Sequence, residues 1–235
     1  PYSFLELLSI QTSGRVLNGL KNKYTRAPGV IRDGLTWETA TTTDVGLDFG
    51  SLNGKFRFSG DYYIRKTTDM YTVGQTLPDV FGADLPKGNY ADMTTKGWEI
   101  TLTYRDQFQL AEKPFNFEIR GTLSDYLSTI DKYNNQDGKL TDYYPGMRVG
   151  EIWGYETEGL FQSQEEINNH ADQTLIQSSS QRVTYPGDVK IKDLNNDGVI
   201  DYGNNTLDDH GDKTIIGNIL PRFSYSLNLS GDWNN

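Results

Sequence analysis

The strongest constraint on this chain is a two-residue period held over long runs. From Lys55 to Arg65, Phe56, Phe58, Gly60, Tyr62 and Ile64 fall on one side, with Lys55, Arg57, Ser59, Asp61, Tyr63 and Arg65 on the other. Successive side chains of a strand point to opposite faces, so the run is a strand with one apolar and one polar face. Upstream, Val45, Leu47 and Phe49 oppose Asp44, Gly46 and Asp48, and Ser51-Leu52-Asn53-Gly54 supplies a turn between the two runs. A second pair sets Trp98, Ile100, Leu102 and Tyr104 against Glu99, Thr101, Thr103 and Arg105. Its partner sets Phe115, Phe117, Ile119, Gly121 and Leu123 against Asn116, Glu118, Arg120, Thr122 and Ser124, with a polar turn predicted over 106–114. A last run places Phe223, Tyr225, Leu227, Leu229 and Trp233 opposite Ser224, Ser226, Asn228, Ser230 and Asp232. Each run exceeds the ~5–6 residues usual for a globular strand.

The connections alternate in length. Those at 51–54 and 106–114 are short, whereas those at about 72–92 and about 131–214 are long and rich in Gly, Asp and Asn. Long strands joined alternately by tight turns and long loops match the plan of a transmembrane β-barrel, with the turns in the periplasm and the loops outside. No stretch approaches the ~18 consecutive apolar residues of a membrane-spanning helix, but a barrel hides its membrane signal in alternation. A soluble β-sandwich alternates too, and periodicity alone does not separate the two. Strand length and the aromatics near the ends of the apolar faces (Phe49, Phe56, Trp98, Tyr104, Phe115, Phe223, Trp233) favour the barrel, where such residues form interfacial girdles.

Composition narrows the function. The charges sum to −10 with no Lys/Arg-rich run, which excludes a nucleic-acid binder relying on phosphate neutralisation. The absence of Cys removes disulfides, thiolate zinc sites and thiol catalysis, and His170 and His210 alone cannot make a histidine-rich metal site. No nucleophile-and-base constellation points to an enzyme. Glu165-Glu166 and Asp208-Asp209 are sequence neighbours rather than converging carboxyls; Glu165-Glu166-Ile167 reads instead as a short helix opened by Ser163. The start Pro1-Tyr2-Ser3-Phe4 lacks the basic-then-apolar plan of a signal peptide.

Four blocks resemble the SusC/RagA family of TonB-dependent outer-membrane transporters. They are Leu35-Thr36-Trp37-Glu38 leading into Asp44–Phe49; Gly88-Asn89 through Gly97-Trp98-Glu99; Val149–Tyr155 with Glu158-Gly159-Leu160-Phe161; and Gly187-Asp188 through Asp201, followed by Ile215–Asn218 and Pro221-Arg222-Phe223. The resemblance implies an all-β, antiparallel transmembrane barrel of about 22 strands with a plugged lumen. It also implies a SusD-like surface lipoprotein as partner, energy from a TonB complex, and import of oligosaccharides or peptides across the outer membrane. The 235 residues supply about five clear strands, or seven with the ambiguous stretch 1–34, so residues 1–235 are expected to be a piece of the C-terminal half of such a barrel. Residues 131–214 form its long extracellular loop region on this reading. The rival is a secreted calcium-binding β-module that recognises carbohydrate.

The sharpest local motif is Asp193-Leu194-Asn195-Asn196-Asp197-Gly198-Val199-Ile200-Asp201. Oxygens from Asp193, Asn195 and Asp197, a Gly for the sharp turn, the Val199 carbonyl and Asp201 follow the order a Ca²⁺ loop needs. The twelfth position is Asn204 rather than an acid. In the family resemblance the closing acid precedes the KT-x-IGN segment, which gives that role to Asp212, with Asp208 and Asp209 as competitors. A surface turn rich in Asn, Asp and Gly is the alternative. Trp153 and Tyr155, near Tyr143, Tyr144 and Phe161, suit a sugar or peptide ligand, but buried aromatics more often anchor a loop or an interface, so packing of the loop onto the barrel rim or a partner lipoprotein is the favoured alternative.

Overall fold

The computed structural model describes residues 8–26, 30–31, 33–74, 86–177 and 183–234. In chain order its strands are β1 (Ser9–Leu17), β2 (Leu20–Arg26), β3 (Thr39–Ser51), β4 (Phe56–Val73), β5 (Lys87–Leu110), β6 (Lys113–Lys132), β7 (Glu151–Tyr155), β8 (Thr157–Leu160), β9 (Val189–Ile191), β10 (Lys213–Asn218) and β11 (Phe223–Trp233). One short helix, α1 (Gln164–Asn168), lies between β8 and β9.

Five strands form one antiparallel sheet in the order β11-β6-β5-β4-β3. Its register puts the predicted apolar residues in shared rows: Val45 opposite Tyr62, Tyr62 opposite Trp98; Phe58 opposite Leu102, Leu102 opposite Gly121, and Gly121 opposite Leu227. This apolar face stays open. On β11, Tyr225, Leu227 and Leu229 are 83%, 67% and 70% exposed. Among the described residues no second sheet packs broadly across it, as a sandwich would require. The opposite face carries paired hydroxyls and charges, including Thr122 and Ser226 with their oxygens 2.8 Å apart, and Arg105 ion-paired with Glu118.

Strand length fits a membrane wall with an extension. β5 has 24 residues; at ~3.4 Å per residue that reaches roughly 80 Å, against ~30 Å for a hydrocarbon core. The apolar rows run from Trp98 to Phe108, so the first half of β5 projects on the side of the long loops. At the other end, Phe108 packs against Phe115 and Phe117, with ring centroids 5.1 and 6.1 Å apart.

The predicted turn at 106–114 is wrong in extent: β5 runs to Leu110, β6 begins at Lys113, and the turn is Ala111-Glu112, both at positive φ. Asp106 and the two glutamines gave the stretch its turn-like polarity. Yet Phe108 and Leu110 keep the period, and Asp106 is held by Lys55 at 2.5 Å and by the Tyr104 hydroxyl at 2.8 Å. The turn at 51–54 falls where expected, with Gly54 at φ +84°. The ambiguous N-terminal stretch contains a hairpin, β1 with β2, turning at Asn18-Gly19 (φ +52° and +81°), the residue pair that suits such a turn. The loop expected at 72–92 is shorter, since β4 continues to Val73 and β5 starts at Lys87; residues 75–85 lie outside the described residues. Between β6 and β11 the chain builds a separate small body over 133–222.

Candidate functional site in the loop body

The body at 133–222 is organised by two small sheets, β7 with β10 and β8 with β9. It is tied to the wall where the chain at 146–149 runs beside the end of β6: Gly146 donates to the Ile130 carbonyl (2.8 Å), Ile130 to Met147 (2.9 Å) and Val149 to Ser128 (2.9 Å). Arg222 adds a forked pair to the Asp125 carboxylate, with its shortest contact 2.6 Å. Here the apolar residues turn inward. Phe161 is 2% exposed and Ile200 is fully buried, with Tyr144 and Ile191 also in this core.

Trp153 and Tyr155 sit on β7, register-paired with Ile215 and Lys213 of β10. The Trp153 ring N–H donates to the Tyr144 hydroxyl and to Glu151 Oε1, each at 3.1 Å, and its ring lies 5.3 Å from that of His210. Both residues are half-buried within the loop body. Burial, followed by the negative charge of Asp201 and Asp212, pushes the Tyr155 hydroxyl up to about 12, so it stays protonated at any physiological pH.

The acidic loop follows directly. Asp193 accepts from the N–H groups of Asn196 (2.6 Å) and Gly198 (2.9 Å), Asn195 from Asp197 (3.0 Å), and Asp197 from Val199 (2.8 Å). These bonds wrap the chain around the side-chain oxygens, and Asn196 and Gly198 supply the positive φ values, +61° and +87°. Ile200 anchors the turn: its N–H donates to the Asp172 carbonyl at 2.8 Å, while the Asp172 N–H donates to the Gly198 carbonyl at 2.9 Å.

Of the three acids proposed to close the loop, Asp212 is the one turned into it. Fully buried, it accepts from the N–H of Leu194 at 2.8 Å and of Asp201 at 2.9 Å. Asp209 instead serves a neighbouring turn through Asn204, and Asp208 is exposed. Among the described residues no three Asp, Glu or His side chains are gathered into a metal cage. The donor set is all oxygen, as a hard cation requires, and each of its side chains accepts from at least one backbone N–H group.

Beside this loop, Lys190 of β9 bridges Glu158 (3.3 Å) and Glu166 (3.1 Å). Glu166 belongs to α1, whose N-cap is Ser163, accepting from the Glu166 N–H at 3.2 Å, as the sequence predicts. The Gln162 N–H, then Lys190, hold the Glu166 carboxyl below its ordinary range; Glu166, then Glu158, raise Lys190. Glu166 is therefore paired rather than merely solvated. Sequence reasoning did not single out Gln173, buried at 7% exposure, whose amide donates to the Val189 carbonyl (3.0 Å) and accepts from the Ile191 N–H (3.3 Å), in effect extending β9 sideways. An isolated Gln in a polar loop carries no signal of that role. Ile200 did carry one, as the apolar residue closing the Asp-x-Asn-x-Asp-Gly turn.

A wall of long antiparallel strands, apolar outside and polar inside, with its long loop folded on one rim, is a segment of an outer-membrane type β-barrel. The family model described as TonB dependent receptor-like, beta-barrel matches residues 7–235, and the chain belongs to that family. The TonB-dependent receptor P3 of Formosa agariphila is 25% identical over 209 residues, covering 83% of this chain and 19% of that protein. The TonB-dependent receptor SusC of Bacteroides thetaiotaomicron is 29% identical over 121 residues, covering 51% of this chain and 12% of SusC. Among solved structures, the RagAB peptide transporter superposes with a TM-score of 0.61 at 15% identity, over 97% of this chain and 22% of that one. The chain thus spans about a fifth of the length of the first of these receptors. These relatives are receptors of outer-membrane type, not enzymes.

Proposed function

We propose that this chain forms part of the wall and outer rim of a TonB-dependent importer in the outer membrane, taking up oligosaccharides or peptides together with a SusD-like surface lipoprotein. The observation that carries the reading is the open apolar face of the five-stranded sheet, backed by a polar face, in a chain of this family. Similarity to SusC and to the RagAB peptide transporter supports import with a lipoprotein partner. The body at 133–222 is the surface that partner meets, and Trp153 and Tyr155 act there by fixing its β7–β10 sheet. Lipid covers the outward rows, and TonB supplies energy through other parts of the protein.

The test is made in the native host. Deleting the gene should abolish growth on the cognate glycan or peptide, and the tagged full-length protein should fractionate with the outer membrane and co-purify a lipoprotein. Normal growth on every such nutrient, or recovery of the protein outside that membrane, would overturn the reading.

We propose further that Asp193, Asn195, Asp197, the Val199 carbonyl, Asp201 and Asp212 bind Ca²⁺ weakly, as extracellular modules do. The order of oxygen donors and the burial of Asp212 against the loop support this. The ion would replace N–H groups as the partner of these oxygens and bind the turn at 193–212 more tightly. Titrating calcium into the assembled transporter should protect that segment from proteolysis, and Asp193→Ala or Asp197→Ala should remove the protection. Cleavage indifferent to calcium and chelator would sink the site.

A further inference from the structure

The polar face of the wall holds an arrangement that the import reading leaves unused. Arg57 of β4 is register-paired with Thr103 of β5, and Thr103 with Arg120 of β6, so two arginines flank one threonine on the same face. Arg105, two residues beyond Thr103, shares that face. Adjacent strands lie ~4.8 Å apart, so the two flanking arginines start roughly 10 Å from one another, within reach of a common small group. A cleft of about 500 Å³ opens there, lined by Asp48, Arg57, Thr101, Thr103, Arg105 and Arg120 among others. Thr103 itself is only 8% exposed, covered by its neighbours.

Charge in this cleft does not balance. Arg105 is ion-paired with Glu118. Among the described residues Arg57 and Arg120 pair with no carboxylate, and Asp48 pairs with no cation. Both arginines are exposed in this structure, and where further polypeptide packs on them the two guanidinium groups would lose water and repel each other unless an anion lay between them. The guanidinium fork fits a carboxylate in two-point fashion.

We propose that Arg57 and Arg120 together clamp one carboxylate donated by polypeptide that fills the barrel lumen and lies outside residues 1–235. This rests on the importer reading. The chain corresponds to 19% of its Formosa relative, which leaves ample polypeptide in such a protein to supply the group.

The test uses the full-length transporter in detergent without substrate. Arg57→Lys and Arg120→Lys, made separately, keep the charge and introduce an amine that carbodiimide joins to any carboxylate in contact. Both variants should yield a new cross-link from the substituted position to the same Asp or Glu outside residues 1–235, absent from wild type. The native Lys55–Asp106 pair, 2.5 Å apart, serves as internal positive control in every sample. With that control cross-linked, no new product, or one reaching only Asp48 or Glu118, overturns the proposal. Isotopically labelled succinate is added in a parallel sample; amide formation with it alone assigns the clamp to dissolved anions and also overturns the proposal. Location and uptake judge the importer reading independently of any cross-link.

Discussion

The wall and the loop body solve the same problem in opposite ways. On the wall, Tyr225, Leu227 and Leu229 point outward and are mostly exposed, whereas in the loop body Phe161 and Ile200 are almost wholly buried. The wall's backbone is satisfied strand to strand, so it needs no side-chain core, only a solvent that accepts its apolar rows. The loop body has only short strands, which cannot hold without packing, and it buries a core of its own. The sheet can be rigid with few buried side chains, whereas the loop depends on a small core, a buried carboxylate and an ion-pair bridge.

The largest expected effect breaks the loop alone. Phe161→Ala removes a buried ring and should cost the loop body about 3–5 kcal/mol. Limited proteolysis should then cut within 133–222, while the folded barrel keeps its anomalous gel mobility without heating; loss of both together would mean that wall and loop fold as one unit. Next comes the reverse experiment. Leu227→Arg lies at a position 67% exposed in the structure, where a water-soluble sheet would tolerate it. Facing lipid near mid-membrane it should cost about 2–4 kcal/mol, read by denaturant unfolding in vesicles. An unchanged midpoint there would remove the case for a lipid-facing wall.

The smallest effect is electrostatic. Glu166 is lowered, so its contribution is present above its ordinary value of 4.5 and is lost as pH falls through the lowered one. Lys190 is raised, so its contribution is present below its ordinary value of 10.5 and is lost as pH rises past the raised one. The α1–β9 contact should therefore hold between those limits and loosen in acid, with lower amide-exchange protection around Glu166, relative to the intrinsic rate at each pH, and an unchanged wall. Glu166→Gln should flatten the acid side of that profile. Both side chains reach solvent, so the change is small and falls further in high salt.

Legibility differed between the two regions for a physical reason. In the wall the run from Phe56 to Arg65 announces its two faces, because the environment changes sign at each step along a strand. The error at 106–114 came from weighing the polarity of Asp106, Gln107 and Gln109 above the period kept by Phe108 and Leu110; tertiary partners for Asp106 made a strand of what composition reads as a turn. In the loop body the side chain of Asp212 meets the N–H groups of Leu194 and Asp201, 18 and 11 residues away. Gln173 serves a strand that begins 16 residues later. No local period encodes such meetings. The family resemblance nominated Asp212 as an ion ligand; the fold shows that it, rather than Asp208 or Asp209, accepts from the backbone of this loop.

The sequence by itself determined that this protein is all-β with two-faced strands, since alternation over long runs admits one apolar and one polar face, and the alternating short and long links pointed to antiparallel hairpins. Only the tertiary structure decided which face stays open, because sandwich and barrel share the same alternation and differ in whether a second sheet covers the apolar rows. It likewise decided that Arg57, Thr103 and Arg120 share one row, since register between strands is set by pairing across the sheet and not by any one strand's residues.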